Sequence, residues 1–170
     1  MKPRRPSRMQ DSPEHLPMEQ RPPQTPTDFS KTRRARVLFL CVGNACRSPM
    51  AEALARHWAP DVIVASSAGL APLGYLSSGT REALAEIGVS CDGQDSKAVR
   101  DQDMAAVDLL INLTGRSVEN LFDLLPPVEE WQVADPFGQN LECYRRTRDE
   151  IERRVLDLAA RLRSVAAPRA

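Results

Sequence analysis

The sequence predicts an α/β fold built on a small parallel sheet, and three observations support this. Short apolar runs such as residues 37–40 are almost unbroken, which is typical of strands covered on both faces. These runs alternate along the chain with segments of helical periodicity, as strands joined by helical crossovers do. The chain also contains no internal repeat. A single α/β domain follows from these patterns.

The predicted elements follow one another from residue 36. We expect strands at residues 37–40, 62–65, 109–113 and 128–133. The predicted helices cover residues 50–58 after a Ser48-Pro49 start, 79–87 before Gly88, 101–106 as a short polar turn, 116–124 before Pro126-Pro127, and 144–162. The last helix is the clearest, because its apolar residues recur at spacings of three, four and seven.

Composition limits the classes of protein that fit. The chain has 170 residues, with 23 basic and 23 acidic side chains, and 42% of its residues are hydrophobic. That length suits one domain with a tail. Charge balance argues against a nucleic-acid partner, and no apolar run reaches the length of a membrane span. Four cysteines without a preceding secretory signal favour a reduced, cytoplasmic protein over a disulfide-stapled one.

The first 35 residues differ from the rest of the chain. Seven of the 14 prolines lie before residue 27, and residues 1–35 hold eight basic against four acidic side chains. Such a segment cannot bury enough apolar surface to fold alone. We expect a disordered Pro/Arg-rich tail at 1–35, either a docking arm or a solvated extension, a domain at 36–163 and a frayed C-terminus at 164–170.

The chemistry is predicted in the first strand-to-helix turn, residues 41–48, which reads Cys-Val-Gly-Asn-Ala-Cys-Arg-Ser. The carboxyl edge of a parallel sheet is where ligands bind, and the helix that follows points its free N–H groups at that edge. Gly43 and Asn44 tolerate left-handed backbone angles, so the loop can curl around an anion. The planar fork of Arg47 matches two oxygens of a phosphate group.

Cys41 lies in the same ring of donors. An electropositive environment favours the thiolate, which is the nucleophilic form, and the Ser48 hydroxyl can donate to it. Two other interpretations are weaker: Cys41 and Cys46 as small core residues, or as zinc ligands. Zinc binding lacks a second cysteine or histidine pair, because His15 lies in the tail and His57 on the first helix.

Residues 37–54 resemble the phosphate loop of the low-molecular-weight protein tyrosine phosphatases. Asp135-Pro136-Phe137-Gly138 is similar to the acid loop of that family, and the resemblance continues into the last helix, so it covers nearly all of residues 36–163. It implies a four-stranded parallel sheet flanked by helices. It also implies a cytoplasmic hydrolase of phosphotyrosine proteins or small phosphomonoesters that needs no metal or other cofactor.

The resemblance also implies residue roles. Cys41 would attack phosphorus and form a phosphocysteine, and Asp135 would protonate the leaving oxygen and then activate water. Arg47 and the loop N–H groups would stabilise the equatorial oxygens. The residues expected to bind substrate are Val42, Gly43, Asn44, Ala45, Cys46, Ser48 and Phe137. Cys46 would form a reversible disulfide with Cys41. An aspartate before a proline is otherwise often only a turn residue.

Some residues depart from the phosphatase pattern. The loop after the second strand is short, and either Leu73 or Tyr75 would supply the wall that an aromatic residue usually forms. Ala45 is smaller than the residue common at its position. This loop and residues 93–97 also resemble the thiol-dependent arsenate reductases of the same fold. Residues 114 and 121, which match the shuttle cysteines of those enzymes, carry no sulfur, so reduction would need an external thiol.

Overall fold

The computed structural model describes residues 33–166, which form four parallel strands and three α-helices. The sheet order is β2-β1-β3-β4, and every neighbouring pair of strands is parallel. The strands are β1 (Ala35–Cys41), β2 (Ile63–Gly69), β3 (Leu109–Asn112) and β4 (Val128–Glu130). The helices are α1 (Arg47–Trp58), α2 (Ser78–Ala85) and α3 (Leu141–Ala166). The predicted fold class is confirmed.

Strand β1 lies in the middle of the sheet and is covered on both faces. Its side chains alternate between two separate apolar clusters, with Phe39 in one and Leu38 and Leu40 in the other. All three of these side chains are fully buried. This explains why the sequence of β1 is apolar at nearly every position rather than at every second one. The carboxyl end of β1, where the loop at residue 41 begins, is therefore held by a packed core on both sides of the sheet.

The two faces of the sheet are covered differently. Helices α1, α2 and α3 contribute Met50, Leu84 and Ile151, among others, to the cluster on one face. The cluster on the other face is completed by Val99, Val118 and partly buried neighbours from irregular segments, not by an α-helix. The predicted polar helix at 101–106 is two short 3₁₀ turns, Val99–Asp101 and Met104–Ala106, on this second face.

The helix predicted at residues 116–124 is wrong, because this segment consists of turns and bends. Gly115, the residue before the expected start of the helix, has a φ of +72° and so a left-handed, non-helical backbone. The side chains of Asn112 and Thr114 both donate to the Arg116 carbonyl, which removes an acceptor that the first helical turn would use. Local side-chain bonds therefore replace the helix.

Other boundaries shift by a few residues. Strand β2 runs to Gly69, four residues beyond its predicted end, whereas β4 stops at Glu130 rather than at residue 133. Helix α3 continues to Ala166, beyond the expected domain end at 163. The predicted tail lies outside the described residues except for its last three, as do the final four residues. Within 33–166, no helix has the length and apolar character needed to cross a membrane.

Candidate active site

The loop between β1 and α1 surrounds a pocket at the carboxyl edge of the sheet. The pocket has a volume of about 290 Å³. Eight of the ten predicted site residues line it, together with Ala71 and Leu73: Cys41, Val42, Gly43, Ala45, Cys46, Arg47, Asp135 and Phe137. The other two, Asn44 and Ser48, are fully buried beneath the loop. The structure thus places the nucleophile, the arginine and the acid of the sequence hypothesis around one cavity.

The loop carbonyls bind the neighbouring segment on the outside of the pocket. The carbonyl oxygens of Cys41, Val42, Gly43 and Ala45 accept bonds from the N–H groups of residues 70, 71, 73 and 77. None of the amides of residues 42–46 donates a backbone or side-chain hydrogen bond to another group of the described chain. A curled loop whose carbonyls are held outward presents its N–H groups to the inside, which is the geometry of an anion nest.

Two residues allow this curl. Asn44 is the one non-glycine residue with a positive φ, +44°, in the described range. Gly69 lies against the loop so closely that an added Cβ would stand 2.8 Å from both the Asn44 nitrogen and the Val42 oxygen. No larger side chain fits at position 69 without moving backbone. The end of β2 therefore fixes how tightly the loop can wind.

A chain of buried polar side chains supports Cys41 from below. The Cys41 Sγ and the Ser48 Oγ are 2.9 Å apart, and Asn44 Nδ2 donates to Ser48 Oγ at the same distance. Ser48 was expected to cap α1, but it lies inside the helix, and the cap position is Cys46. The Ser48 hydroxyl is thus available to a sulfur anion instead of the helix terminus.

The guanidinium of Arg47 is buried and almost fully bonded. Its Nη1 donates to the carbonyls of Leu113 and Val133, and its Nη2 donates to Asp135 Oδ2 at 2.6 Å. Its Nε is buried and has no hydrogen-bond partner among residues 33–166. A buried donor without a partner is costly, and Arg47 lines the pocket.

Asp135 stands on the loop after β4, at the rim of the pocket, with its side chain about half exposed. The Phe137 N–H donates to Asp135 Oδ1 at 3.2 Å, and Thr147 of α3 holds the preceding Ala134 carbonyl. Asp135 is therefore more than the turn residue that its sequence also allowed. The carboxylate is oriented by Arg47 on one side and by its own turn on the other.

Cys46 is a buried residue of the site, next to the hydroxyl of Tyr144. Burial raises the pKa of the Cys46 thiol, an effect only partly offset by its contact with the Tyr144 hydroxyl at 3.8 Å. Burial also raises the pKa of Tyr144, whose oxygen accepts a bond from Ser77 Oγ at 2.8 Å. Cys46 is therefore a neutral thiol at physiological pH. The four cysteines are free in this structure.

The wall of the pocket is apolar, and Leu73 rather than Tyr75 supplies it. Leu73 lies over Gly43, where an added Cβ would stand 3.2 Å from Leu73 Cγ. Tyr75 is 54% exposed and does not line the pocket. Phe137 also lines the pocket, and its side chain is about half exposed. The opening is thus bordered by apolar side chains, with the Asp135 carboxylate among them.

Sequence reasoning missed three residues that shape the loop from outside. Ser67 and Glu52 are buried on β2 and α1, and the Lys97 N–H donates to Asn44 Oδ1 at 2.6 Å. The one signal in the sequence was an acidic residue, Glu52, in an otherwise apolar stretch of α1. His57 is exposed and packs edge to face against Trp58, and it does not line the pocket.

Comparison with known proteins agrees with this geometry. The family model described as low molecular weight phosphotyrosine protein phosphatase matches residues 36–167. A glutaredoxin arsenate reductase of Synechocystis is 32% identical over 75% of this chain and 98% of its own length. A protein-arginine-phosphatase of Bacillus subtilis is 33% identical over 75% and 96%.

Solved structures give the same result. An arsenate reductase in its phosphate-binding state superposes with a TM-score of 0.69 at 30% identity, over 75% of this chain and 98% of that one. Relatives of two activities, reduction of arsenate and hydrolysis of a phosphoryl group, thus share this fold. On these grounds the chain belongs to the low-molecular-weight phosphotyrosine protein phosphatase family.

Proposed function

We propose that the protein is a cysteine-dependent phosphatase that hydrolyses phosphorylated side chains of proteins, with phosphotyrosine as the preferred substrate class. The observation that carries the proposal is the joint placement of Cys41, Arg47 and Asp135 around one loop whose amides face inward. A nucleophile, an anion cradle and an acid are the three parts that phosphoryl transfer to a cysteine requires.

In the first step, the Cys41 thiolate attacks phosphorus in line with the ester oxygen. The amides of residues 42–46 and the Nε of Arg47 bind the three equatorial oxygens, which carry the charge in the transition state. Asp135 gives its proton to the leaving oxygen, so that an alcohol departs rather than an alkoxide. The products of this step are a phosphocysteine and the dephosphorylated side chain.

In the second step, water attacks the phosphocysteine. Asp135, now ionised, takes a proton from that water, and the sulfur leaves as a thiolate. The Ser48 hydroxyl, 2.9 Å from Cys41 Sγ, donates to the departing sulfur and stabilises it. Inorganic phosphate is released, and the net reaction is hydrolysis with no change in oxidation state.

The apolar rim supports an aromatic substrate. Leu73 and Phe137 border the entrance, and their exposed surfaces can bury the faces of a flat ring that carries the phosphate. A phenol is also a leaving group that one carboxylic acid can assist. Because Asp135 is the carboxylate at the rim, a phosphorylated arginine is the main competitor: its guanidinium could pair with Asp135.

Arsenate reduction is the second candidate, favoured by the relatives that carry this activity. Arsenate has the shape and charge of phosphate, and the same cradle would bind it. Residues 114 and 121, which match the shuttle cysteines of the thiol-dependent reductases, are threonine and leucine. Reduction would consequently need a small external thiol to release arsenite from Cys41.

A panel of substrates tests the proposal on purified protein. Phosphotyrosine and phosphoarginine peptides that differ only in the phosphorylated residue, and arsenate with glutathione, are compared at equal enzyme concentration. We expect phosphotyrosine hydrolysis that falls at least about 10³-fold in Cys41→Ser. Cys143→Ser, which alters a thiol outside the pocket, should retain it. Preference for phosphoarginine would change the substrate class, and arsenate consumption without hydrolysis would overturn the proposal.

A further inference from the structure

Glu52 is a buried carboxylate that does not line the pocket. It lies on α1 with 1% of its surface exposed, and the mechanism above does not use it. Its Oε2 accepts a hydrogen bond from Ser67 Oγ at 2.5 Å, and the Lys97 Nζ stands 3.8 Å from the same oxygen. Arg56 binds its other oxygen. Removing a carboxylate from water costs free energy, and here the hydrogen bond from Ser67 and the ion pairs with Arg56 and Lys97 offset that cost.

The carboxylate fixes the direction of the hydrogen bond that Ser67 makes. An ionised carboxylate only accepts hydrogen bonds, so the single proton of the Ser67 hydroxyl points to Glu52. The Ser67 oxygen is then left to accept, and it does so from Asn44 Nδ2 at 3.0 Å. The negative charge of Glu52 thus favours the amide orientation in which the Asn44 Nδ2, and not its Oδ1, faces Ser67 on β2.

The Asn44 amide is held in this orientation from both ends. Its Oδ1 accepts the Lys97 N–H, and the two hydrogens of its Nδ2 go to Ser67 Oγ and Ser48 Oγ. A flipped amide would place donor against donor at Lys97 and leave Ser67 and Ser48 without their bonds. The Lys97 N–H and the Ser67 oxygen therefore favour the same orientation of the amide, and Glu52 acts on it through Ser67.

The chain ends at the nucleophile. Because Ser48 Oγ accepts from Asn44, its own proton is free for one of two acceptors, the Cys41 sulfur at 2.9 Å or the Ala68 carbonyl at 3.2 Å. A thiolate is the better acceptor of the two, since charged acceptors form the stronger hydrogen bonds. Four consecutive hydrogen bonds thus join Glu52 to Cys41, and in the last of them Ser48 donates to the sulfur when Cys41 is a thiolate.

We propose that Glu52 is a positioning residue that holds the Ser67–Asn44–Ser48 chain in the direction that donates a proton to the Cys41 thiolate. The proposal rests on the proposed function only for its effect on turnover, because the chain itself is described without reference to a substrate. Glu52 acts through three other side chains and does not touch the pocket.

The sign of the effect separates this role from simple electrostatics. A buried negative charge repels a second one, so removing it should make the Cys41 thiolate easier to form. The proposal predicts the opposite: without the acceptor, Ser67 and Asn44 lose their fixed orientation, and the Ser48 proton is no longer reserved for sulfur. The thiolate then becomes harder to form.

The test is the rate at which iodoacetamide alkylates Cys41, followed from acidic to alkaline pH by mass spectrometry of the peptide that carries it. This readout needs no turnover. Cys46 lies on the same tryptic peptide as Cys41, and fragment ions of that peptide distinguish the two. For Glu52→Met we expect the midpoint of the alkylation profile to move up by about one pH unit, the size of one lost hydrogen bond. Turnover with an aryl phosphate should fall about tenfold or more in kcat with little change in KM.

Three further variants complete the design. Ser67→Ala breaks the chain without changing charge, and it should reproduce the upward shift; it decides the question if Glu52→Met does not fold. Glu52→Gln keeps an acceptor oxygen and should lie between Glu52→Met and the wild type. Arg56→Gln removes the exposed ion pair of Glu52 but leaves the chain, so its midpoint should not move.

An unchanged or downward-shifted midpoint in a folded Glu52→Met or Ser67→Ala protein would overturn the proposal. A wild-type protein that hydrolyses no phosphate ester but shows the upward shift in both variants would disprove the proposed function alone. The alkylation profile therefore tests the role of Glu52, and the hydrolysis assay tests the proposed function, independently of each other.

Discussion

The guanidinium of Arg47 donates to the carboxylate of Asp135 across 2.6 Å. The two side chains come from opposite ends of the domain sequence, Arg47 from the start of α1 and Asp135 from the loop after β4. The Arg47 side chain is 8% exposed and also donates to the Leu113 and Val133 carbonyls. Its guanidinium is therefore held in place, and it positions the loop that carries Asp135. One residue thus serves both the anion cradle and the position of the acid.

Arg47→Lys should weaken both functions of that residue. A lysine ammonium cannot reach the Leu113 carbonyl, Asp135 and an oxyanion together, because it lacks the planar fork of donors. We expect kcat/KM for an aryl phosphate to fall about 10²-fold or more. Inhibition by inorganic phosphate should weaken in parallel. The control is Arg146→Lys on the exposed side of α3, for which steady-state kinetics should match the wild type.

Asp135→Asn should reveal which step needs the acid. An amide cannot protonate the leaving oxygen, so the loss should be large for phenyl phosphate, about 10²–10³-fold, and smaller for an ester with an acidic leaving group such as p-nitrophenol. The measurement is kcat/KM across a series of aryl phosphates. An equal loss for every leaving group would contradict the role of Asp135 as general acid.

Gly69→Ala should distort the loop as well as destabilise the fold. The added Cβ would stand 2.8 Å from backbone atoms of residues 42 and 44, so the loop must move. We expect a loss of about 1–3 kcal/mol of stability by urea unfolding, together with loss of phosphate binding by calorimetry. Gly88→Ala is the matched control: Gly88 has a φ of +73° and open space around it, so stability should fall while binding is kept.

Stability should fall at alkaline pH because of Cys46. Burial holds the pKa of the Cys46 thiol in the folded state above its ordinary value of 9.0. The folded state therefore keeps this proton to a higher pH than the unfolded chain does. The contribution is complete below that ordinary value and is lost as pH rises through the pKa of the folded state. Tyr144, also raised, acts in the same direction at higher pH.

The free energy of unfolding in urea, measured from neutral pH to above pH 9, checks this prediction. Cys46→Ala removes the titrating thiol and should flatten the decline, while Cys143→Ala, at a half-exposed position on α3, should retain it. A decline that is equally steep in all three proteins would show that Cys46 is not its cause.

The site was predictable because its residues lie close together in the sequence. Residues 41–48 carry nucleophile, cradle and arginine in one turn, and the apolar run of β1 marks the sheet edge where the turn must lie. Asp135 was recognised from its resemblance to an acid loop. Its hydrogen bond with Arg47 depends on the path of residues 113–135, which no local pattern determines.

The failures have physical causes. A helix was expected at residues 116–124, but the side chains of Asn112 and Thr114 bond the Arg116 carbonyl, which the first helical turn would use. Gly115, just before this segment, has a left-handed backbone. The roles of Ser67 and Glu52 were not predictable, because they arise where β2, α1 and the segment near Lys97 meet beneath the loop. Contacts between segments that are distant in the sequence do not produce a periodic pattern from which they could be predicted.

The most direct test of the central claim is to trap the covalent intermediate. Asp135→Ala, which can no longer activate water, is mixed with p-nitrophenyl phosphate, quenched in acid and digested for mass spectrometry. We predict a phosphoryl group on the peptide that carries Cys41, and none when Cys41 is replaced by serine in the same background. Release of p-nitrophenol without any phosphorylated Cys41 peptide would contradict the proposed mechanism.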